Sequence, residues 1–218
     1  MKKKLQQKLG QQLSNPTGFW GLVIGRLMNV INKEMYQAAY KLLELKSNDC
    51  LLEIGFGNGA FIKEISSKIY PGNYYGIDIS DTMIASAKKK NKKLINTGKV
   101  TLVKSNVNNL PFDTNFFNKI LTINTIYFWD NPKQIMSEIK RVLKPEGSFI
   151  VALNTREAME NSEYVKEKFT LYDKEKVVHL FQNSGFKVIK STYKKMKIED
   201  VLCIEGKLQN SQIEIISI

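Results

Sequence analysis

The sequence predicts an α/β fold, doubly wound around a seven-stranded sheet that is mostly parallel with an antiparallel last strand. Three observations predict it. From residue 49 onward, short apolar runs rich in β-forming residues alternate with helix-patterned segments, as in successive βαβ units. Three glycines, Gly55, Gly57 and Gly59, stand directly behind the first of these runs, where a strand gives way to a helix. The chain then closes on two strand-like runs, FKVIKSTYK and DVLCIEGKL, separated by a short turn, and a short connection joins antiparallel neighbours.

The elements follow in order. Between residues 16 and 45, Leu22, Ile24, Leu27, Met28, Ile31, Met35, Ala39, Leu42 and Leu43 recur at helical spacing. That predicts one or two amphipathic cap helices within an N-terminal extension over 1–48. The core spans 49–218. CLLEIGF reads as a buried strand, GAFIKEISSKI as a helix and NYYGIDIS as the second strand. DTMIASAKKKNKKLI is a helix opening with Asp81, VTLVKSN the third strand and KILTINTIYF the fourth. In PKQIMSEIKRVLK, Pro132 suits the first helical turn, where its missing N–H is not needed. SFIVALN is the fifth strand, and KEKVVHLFQNSG is a last helix with Gly185 as its C-cap. Residues 154–172 are inserted before that helix and are placed to serve as a lid.

Composition narrows the function. At 218 residues, 43% hydrophobic and 25% charged, the chain is an ordinary globular protein of one domain. The net charge of +12 invites phosphate backbones through counterion release. However, the lysines fall in scattered groups, and no helix-turn-helix, RNA-recognition or zinc-finger pattern accompanies them. Nucleic acid is therefore not the expected partner. Cys50 and Cys203 lie in apolar, strand-like stretches and give neither a disulfide framework nor metal-ligand spacing. A reducing, cytoplasmic setting fits them. The stretch GFWGLVIG is too short to span a bilayer, and the N-terminus lacks the pattern of a secretion signal.

Ligands of a parallel α/β sheet bind at the C-terminal ends of the strands, near the point where strand order reverses. Three features converge there. The run Glu53-x-Gly55-x-Gly57-x-Gly59 lets backbone approach a ligand closely, and the helix behind it favours negative charge at its start. With Ala60 it also satisfies the dinucleotide fingerprint, so the turn alone leaves NAD open. Asp78 ends the second strand, where a carboxylate accepts from both hydroxyls of a ribose. Asn106 follows the third strand, where an amide reads an adenine edge or closes a turn.

LLEIGFGNG, GIDISDTMIASAKKK, SNVNNLPF and KRVLKPEGSFIV, in that order and spacing, resemble the successive motifs of the class I S-adenosylmethionine-dependent methyltransferases. The similarity is greatest to the branch that includes the ubiquinone/menaquinone C-methyltransferases, and it covers residues 49–152. The resemblance implies a Rossmann-like core with S-adenosyl-L-methionine as cofactor, S-adenosyl-L-homocysteine as product, and no metal. It implies that Gly55, Phe56, Gly57 and Gly59 line the methionine part, with Glu53 anchoring the loop or, through water, the amino group. Asp78 would hold the ribose hydroxyls, Ile79 and Met83 would pack on adenine, and Asn106 and Val107 would meet its edge. Asn124 would face the methionine moiety with its backbone. The family usually carries aspartate at position 106; asparagine keeps a carbonyl acceptor but loses the charge-assisted bond, which lowers or retunes affinity.

Methyl transfer from a sulfonium is an in-line displacement that asks chiefly for alignment and desolvation. His179, the single histidine, falls in the last helix and is not expected to act. Tyr127, beyond the fourth strand in NTIYFWDN, is the catalytic candidate, and Phe128 and Trp129 extend it into an aromatic wall. Trp20, Met28, Asn29, Asn32 and Tyr36 of the N-terminal helices are expected to close the acceptor pocket. A small molecule is the expected acceptor. One alternative is an RNA or protein acceptor drawn by the positive charge, although NTIY replaces the proline-rich tetrapeptide of amino-methylating nucleic-acid enzymes. Another is a membrane-associated lipid or quinone, since Phe19, Trp20, Leu22 and Val23 beside a basic tail suit a headgroup region. Outside the class stands an NAD-dependent oxidoreductase, for which little chain remains to build a substrate domain.

Overall fold

A computed structural model describes residues 2–160, 165, 169–195 and 200–208. Three helices come first: α1 (Lys2–Ser14), α2 (Gly18–Ile31) and α3 (Lys33–Leu43). The strands are β1 (Cys50–Ile54), β2 (Asn73–Asp78), β3 (Val100–Lys104), β4 (Phe117–Ile123), β5 (Leu143–Asn154), β6 (Phe186–Lys194) and β7 (Val201–Leu208). They form one sheet in the order β3-β2-β1-β4-β5-β7-β6. β7 runs antiparallel to both of its neighbours, and the other pairings are parallel. The architecture is the predicted one. Of the predicted turn between β6 and β7, residues 196–199 lie outside the described residues.

β1 shows how the residues set the layers, because alternate side chains point to opposite faces. Leu52 and Ile54 pack with Ile120 and Phe149 beneath α7 (Pro132–Val142) and α8 (Lys174–Asn183), which contribute Ile135, Ile139, Val177 and Phe181. Leu51 packs on the other face with Leu121 and Ile150. That face is covered by α3, α4 (Ile62–Lys68) and α5 (Asp81–Lys90) through Met35, Leu43, Ile65 and Ala87. With both faces covered, the parallel strands read as continuous apolar runs.

Glu53 shares the second face with Leu51 and is 1% exposed. Its Oε1 accepts from the Tyr36 hydroxyl at 2.6 Å and its Oε2 from the Tyr74 hydroxyl at 2.7 Å. Burial raises the carboxyl pKa against the pull of those two donors. Burial and the neighbouring carboxylate also raise both phenol pKa values, keeping the tyrosines as neutral donors. Glu53→Ala removes the acceptor of two buried hydroxyls. Its expected cost is roughly 2–6 kcal/mol of unfolding free energy, measured by denaturant titration. A loss below about 1 kcal/mol would show that other groups replace these bonds.

The lysine- and glutamine-rich start of the N-terminal extension, expected to be helical, forms α1 with Leu5, Leu9 and Leu13 four residues apart. One element differs from expectation. The helix expected over 81–95 breaks at Asn91 into α5 and α6 (Lys92–Asn96). There Asn91 Nδ2 donates to Gly59 O at 3.0 Å and Ala87 O at 3.1 Å, tying the helix break to the turn after β1.

The N-terminal helices are seated on the core by small residues and hydrogen bonds. A Cβ on Gly25 would come within 3.2 Å of Met83 Sδ and 3.3 Å of Asn58 Nδ2, so α2 lies directly on α5 and the β1–α4 loop. In the link between α1 and α2, Pro16 O accepts from Ser80 Oγ, and Gly18 N donates to Thr82 Oγ1 at 3.0 Å.

Candidate active site

Strand order reverses between β1 and β4, and the C-terminal ends of both open on a cavity, as the general rule for such sheets requires. It has two chambers, of about 340 Å³ and about 190 Å³. Ser14, Gly55, Asp78, Thr125 and Phe128 line both, so the chambers adjoin beneath the end of α1.

The three glycines of the turn have positive φ but answer to different neighbours. A Cβ on Gly59 would lie 2.7 Å from Ala87 Cβ and 2.8 Å from Asn91 Nδ2, and Gly59 lines neither chamber. The expectation that it lines a ligand is corrected: it lets α5 approach. A Cβ on Gly55 would strike Thr125 Cγ2 at 2.3 Å. A Cβ on Gly57 would meet nothing within 4 Å and would project from the wall of the larger chamber.

Asp78 holds this turn open. Its Oδ2 accepts from Gly57 N at 3.0 Å and its Oδ1 from Ser80 N at 2.9 Å. Ser80 in turn caps α5, accepting from Met83 N at 3.2 Å. Burial pushes the Asp78 carboxyl up to about 6, opposed by the backbone N–H groups of Ser80, Gly57 and Ile79.

The smaller chamber gathers Ile79, Asn106, Val107 and Trp129 as well as Asp78. Asn106 Oδ1 accepts from Asn108 N at 2.9 Å, closing the loop turn. Its NH₂ group and the second lone pair of its oxygen remain in its inventory. The indole N–H of Trp129 is buried without a hydrogen-bond partner among the described residues. The loop itself is clamped by α7. Arg141 Nη1 donates to Phe112 O at 2.7 Å and Nη2 to Leu110 O at 2.9 Å, while Leu110 N donates to Glu138 Oε2 at 2.9 Å. Arg141 of the KRVLKPEG motif thus acts on the chamber through this loop.

The larger chamber brings together Met28, Asn29, Asn32, Tyr36, Phe56, Met83, Asn124, Tyr127 and Phe128. Asn124 Nδ2 donates to Asn32 Oδ1 at 3.0 Å, tying the end of β4 to the junction of α2 and α3. The Tyr127 hydroxyl donates toward Asn124 Oδ1 at 3.0 Å and Asn154 O at 2.9 Å, and it accepts from Asn154 N at 2.6 Å. A hydroxyl so engaged positions Asn124 and the end of β5. It is not set up for proton transfer, contrary to the catalytic expectation.

Four further residues stand elsewhere than expected. Trp20 is 68% exposed and lines neither chamber, because it stands on the outer side of α2. Trp129 borders the smaller chamber and not the larger, and Met83 borders the larger and not the smaller. Glu53 is buried behind the turn on Tyr36 and Tyr74. Residues not anticipated are Gln12, Ser14 and Pro16 from the N-terminal segment and Asn58 and Phe61 beside the glycines, while Asn154, Met159 and Phe169 come from the segment expected to close the pocket. Of the expected lid over 154–172, residues 161–164 and 166–168 lie outside the described residues.

The donor and acceptor set fits a nucleoside joined to an amino acid. Trp129, whose buried indole N–H lacks a partner among the described residues, and an asparagine line the smaller chamber, a carboxylate stands where the chambers meet, and open space lies over Gly57 in the larger.

A doubly wound sheet whose last strand runs antiparallel, with a two-chambered cavity at its switch point, has the architecture of a methyltransferase. A sequence profile described as "Methyltransferase domain" matches residues 52–151. YdaC of Bacillus subtilis (strain 168), described as an uncharacterized methyltransferase, is 24% identical over 186 residues, 85% of this chain and 98% of its own. Among solved structures, a SAM-dependent methyltransferase from Aquifex aeolicus aligns with a TM-score of 0.68 at 21% identity, over 79% of this chain and 89% of that one. Geranyl diphosphate C-methyltransferase from Streptomyces coelicolor A3(2), in complex with Mg²⁺, geranyl diphosphate and S-adenosyl-L-homocysteine, also gives 0.68, at 12% identity over 86% and 84% of the two chains. Residues 52–151 are a methyltransferase domain of the class I S-adenosylmethionine-dependent kind.

Proposed function

We propose that this methyltransferase places S-adenosylmethionine across both chambers and methylates an apolar small molecule held in the larger one. The observation that carries this reading is the meeting of the two chambers at Asp78 beneath a shared roof. In it, Asp78 accepts from the ribose hydroxyls, while Ile79, Asn106, Val107 and Trp129 frame the adenine. Gly55, Phe56 and Gly57 leave room for the methionine part, and Asn124 borders it. The cofactor supplies a methyl group already activated by the sulfonium charge. The chain's contribution is alignment and exclusion of water. Met28, Phe128, Met159 and Phe169 give the acceptor apolar walls, and the carboxamides of Asn29 and Asn32 orient its polar end. Among the described residues lining the larger chamber, the titratable side chains are Asp78, Tyr36 and Tyr127, and each already has a partner in the fold. The acceptor therefore brings an atom that is nucleophilic by itself. Helices α1–α3, with residues 154–160 and 169–172, act as the lid.

Calorimetry with S-adenosylmethionine, S-adenosylhomocysteine and NAD tests the reading. Tight binding of NAD without binding of either sulfur nucleoside would overturn it. Affinity should also follow the charge of Asp78. In the folded chain this carboxyl titrates at about 6, above an ordinary aspartate near ~3.9. Between those values the folded chain holds a proton that the unfolded chain has released, so the ligand-free fold loses stability as pH rises through the window. A ligand that requires the carboxylate shows the opposite trend: S-adenosylhomocysteine should bind about tenfold more weakly at about pH 5 than at about pH 7. A flat affinity across that range would detach Asp78 from the ribose.

A further inference from the structure

We propose that the outer face of α2 docks on an anionic lipid bilayer, with the larger chamber opening into that interface. Six large apolar side chains of this helix are exposed: Phe19, Trp20, Leu22, Val23, Leu27 and Val30. Phe19 and Val30 are 72% and 68% exposed, and Arg26 is the single charged residue of the helix. Soluble proteins seldom leave so continuous an apolar stripe in water, and a stripe of this kind marks a contact surface.

Charge selects the occupant. Exposed lysines stand on the three helices that contact α2: Lys4 and Lys8 on α1, Lys33 on α3, and Lys88 and Lys89 on α5. Arg26 lies near enough to Lys90 to help lower the pKa of that lysine, behind the larger effect of burial. With a net charge of +12, the chain repels a second copy of itself and is attracted to an anionic surface. Among the described residues, no helix is long and apolar enough to cross a membrane. An apolar stripe on a short helix with cationic neighbours suits lying in the interface plane.

The stripe is continuous with the site. Leu9 and Leu27 are exposed and also line the larger chamber, so its mouth lies at the edge of the apolar face. On the inner side of the same helix, Ile24, Met28 and Asn29 line the chamber one side-chain layer from the surface. An acceptor dissolved in the bilayer then reaches the chamber without crossing water. The route of the acceptor rests on the methyl-transfer reading, whereas the docking itself does not.

Co-sedimentation of the full chain with vesicles tests it, comparing phosphatidylglycerol mixed into phosphatidylcholine with phosphatidylcholine alone. Partition onto the anionic vesicles is expected, and raising the salt should weaken it. The triple variant Phe19→Ser, Trp20→Ser, Val30→Ser lines neither chamber and should partition about tenfold less or worse. Its S-adenosylhomocysteine affinity should match wild type, which also shows that it folds. Lys4→Glu with Lys8→Glu, leaving the apolar stripe intact, should weaken partition too. Wild-type chain that stays in the supernatant, or a triple variant that sediments like wild type, overturns the docking. So does a wild-type dimer in solution that the triple variant dissociates, because a second copy would then cover the face. Vesicle binding without cofactor binding would sink the methyl-transfer reading and leave the docking; the reverse would sink the docking alone.

Discussion

Asp78→Ala should weaken S-adenosylhomocysteine binding by about 10²-fold or more, the largest loss expected from any single truncation in the site. Two losses combine. A carboxylate accepting from two ribose hydroxyls makes charge-assisted hydrogen bonds of roughly 1.5–3 kcal/mol each. The same carboxylate holds Gly57 N and Ser80 N, so removing it also frees the glycine turn and the start of α5. Asp78→Asn keeps the shape and removes the charge, and it should fall between wild type and alanine. Calorimetry of the purified variants measures both. Wild-type affinity in Asp78→Ala would remove this residue from the cofactor site.

Gly57→Val and Gly59→Val should fail in opposite ways. At Gly57 the added atoms meet no protein atom within 4 Å of the Cβ. The expected cost to folding is then confined to the left-handed backbone, about 1–2 kcal/mol. Cofactor binding should nevertheless be abolished, because the side chain occupies the larger chamber. At Gly59 the first added carbon already collides with Ala87 and Asn91. Overpacking and backbone strain together should remove roughly 2–5 kcal/mol of stability. Parallel denaturant titrations and ligand titrations read the two effects separately. Equal destabilisation by both substitutions would show that the turn is uniform, with no division between ligand space and helix packing.

Much of this was legible because backbone period and turn chemistry are local. The runs CLLEIGF, NYYGIDIS and FKVIKSTYK carry their strand identity in themselves, and Asp78 is fixed by standing at a strand end. What escaped was set by partners distant in the chain. Glu53 meets Tyr36 and Tyr74 across 17 and 21 residues, and nothing in LLEIG announces two tyrosines waiting behind it. The helix GFWGLVIGRLMNVI is apolar all round, so its sequence cannot say that Ile24 and Met28 turn inward while Trp20 turns out. Tyr127 sits where expected, but its hydroxyl is claimed by the backbone of Asn154, 27 residues away. Ser14 and Pro16 reach the site only because α1 and α2 fold back over Ser80 and Thr82.

That fold-back has a consequence for how the site is covered. Ser14 lines both chambers and Pro16 the larger one, and Ser80 and Thr82 fasten this link between α1 and α2 beside Asp78. Loosening those two hydrogen bonds would therefore loosen the cover of both chambers together.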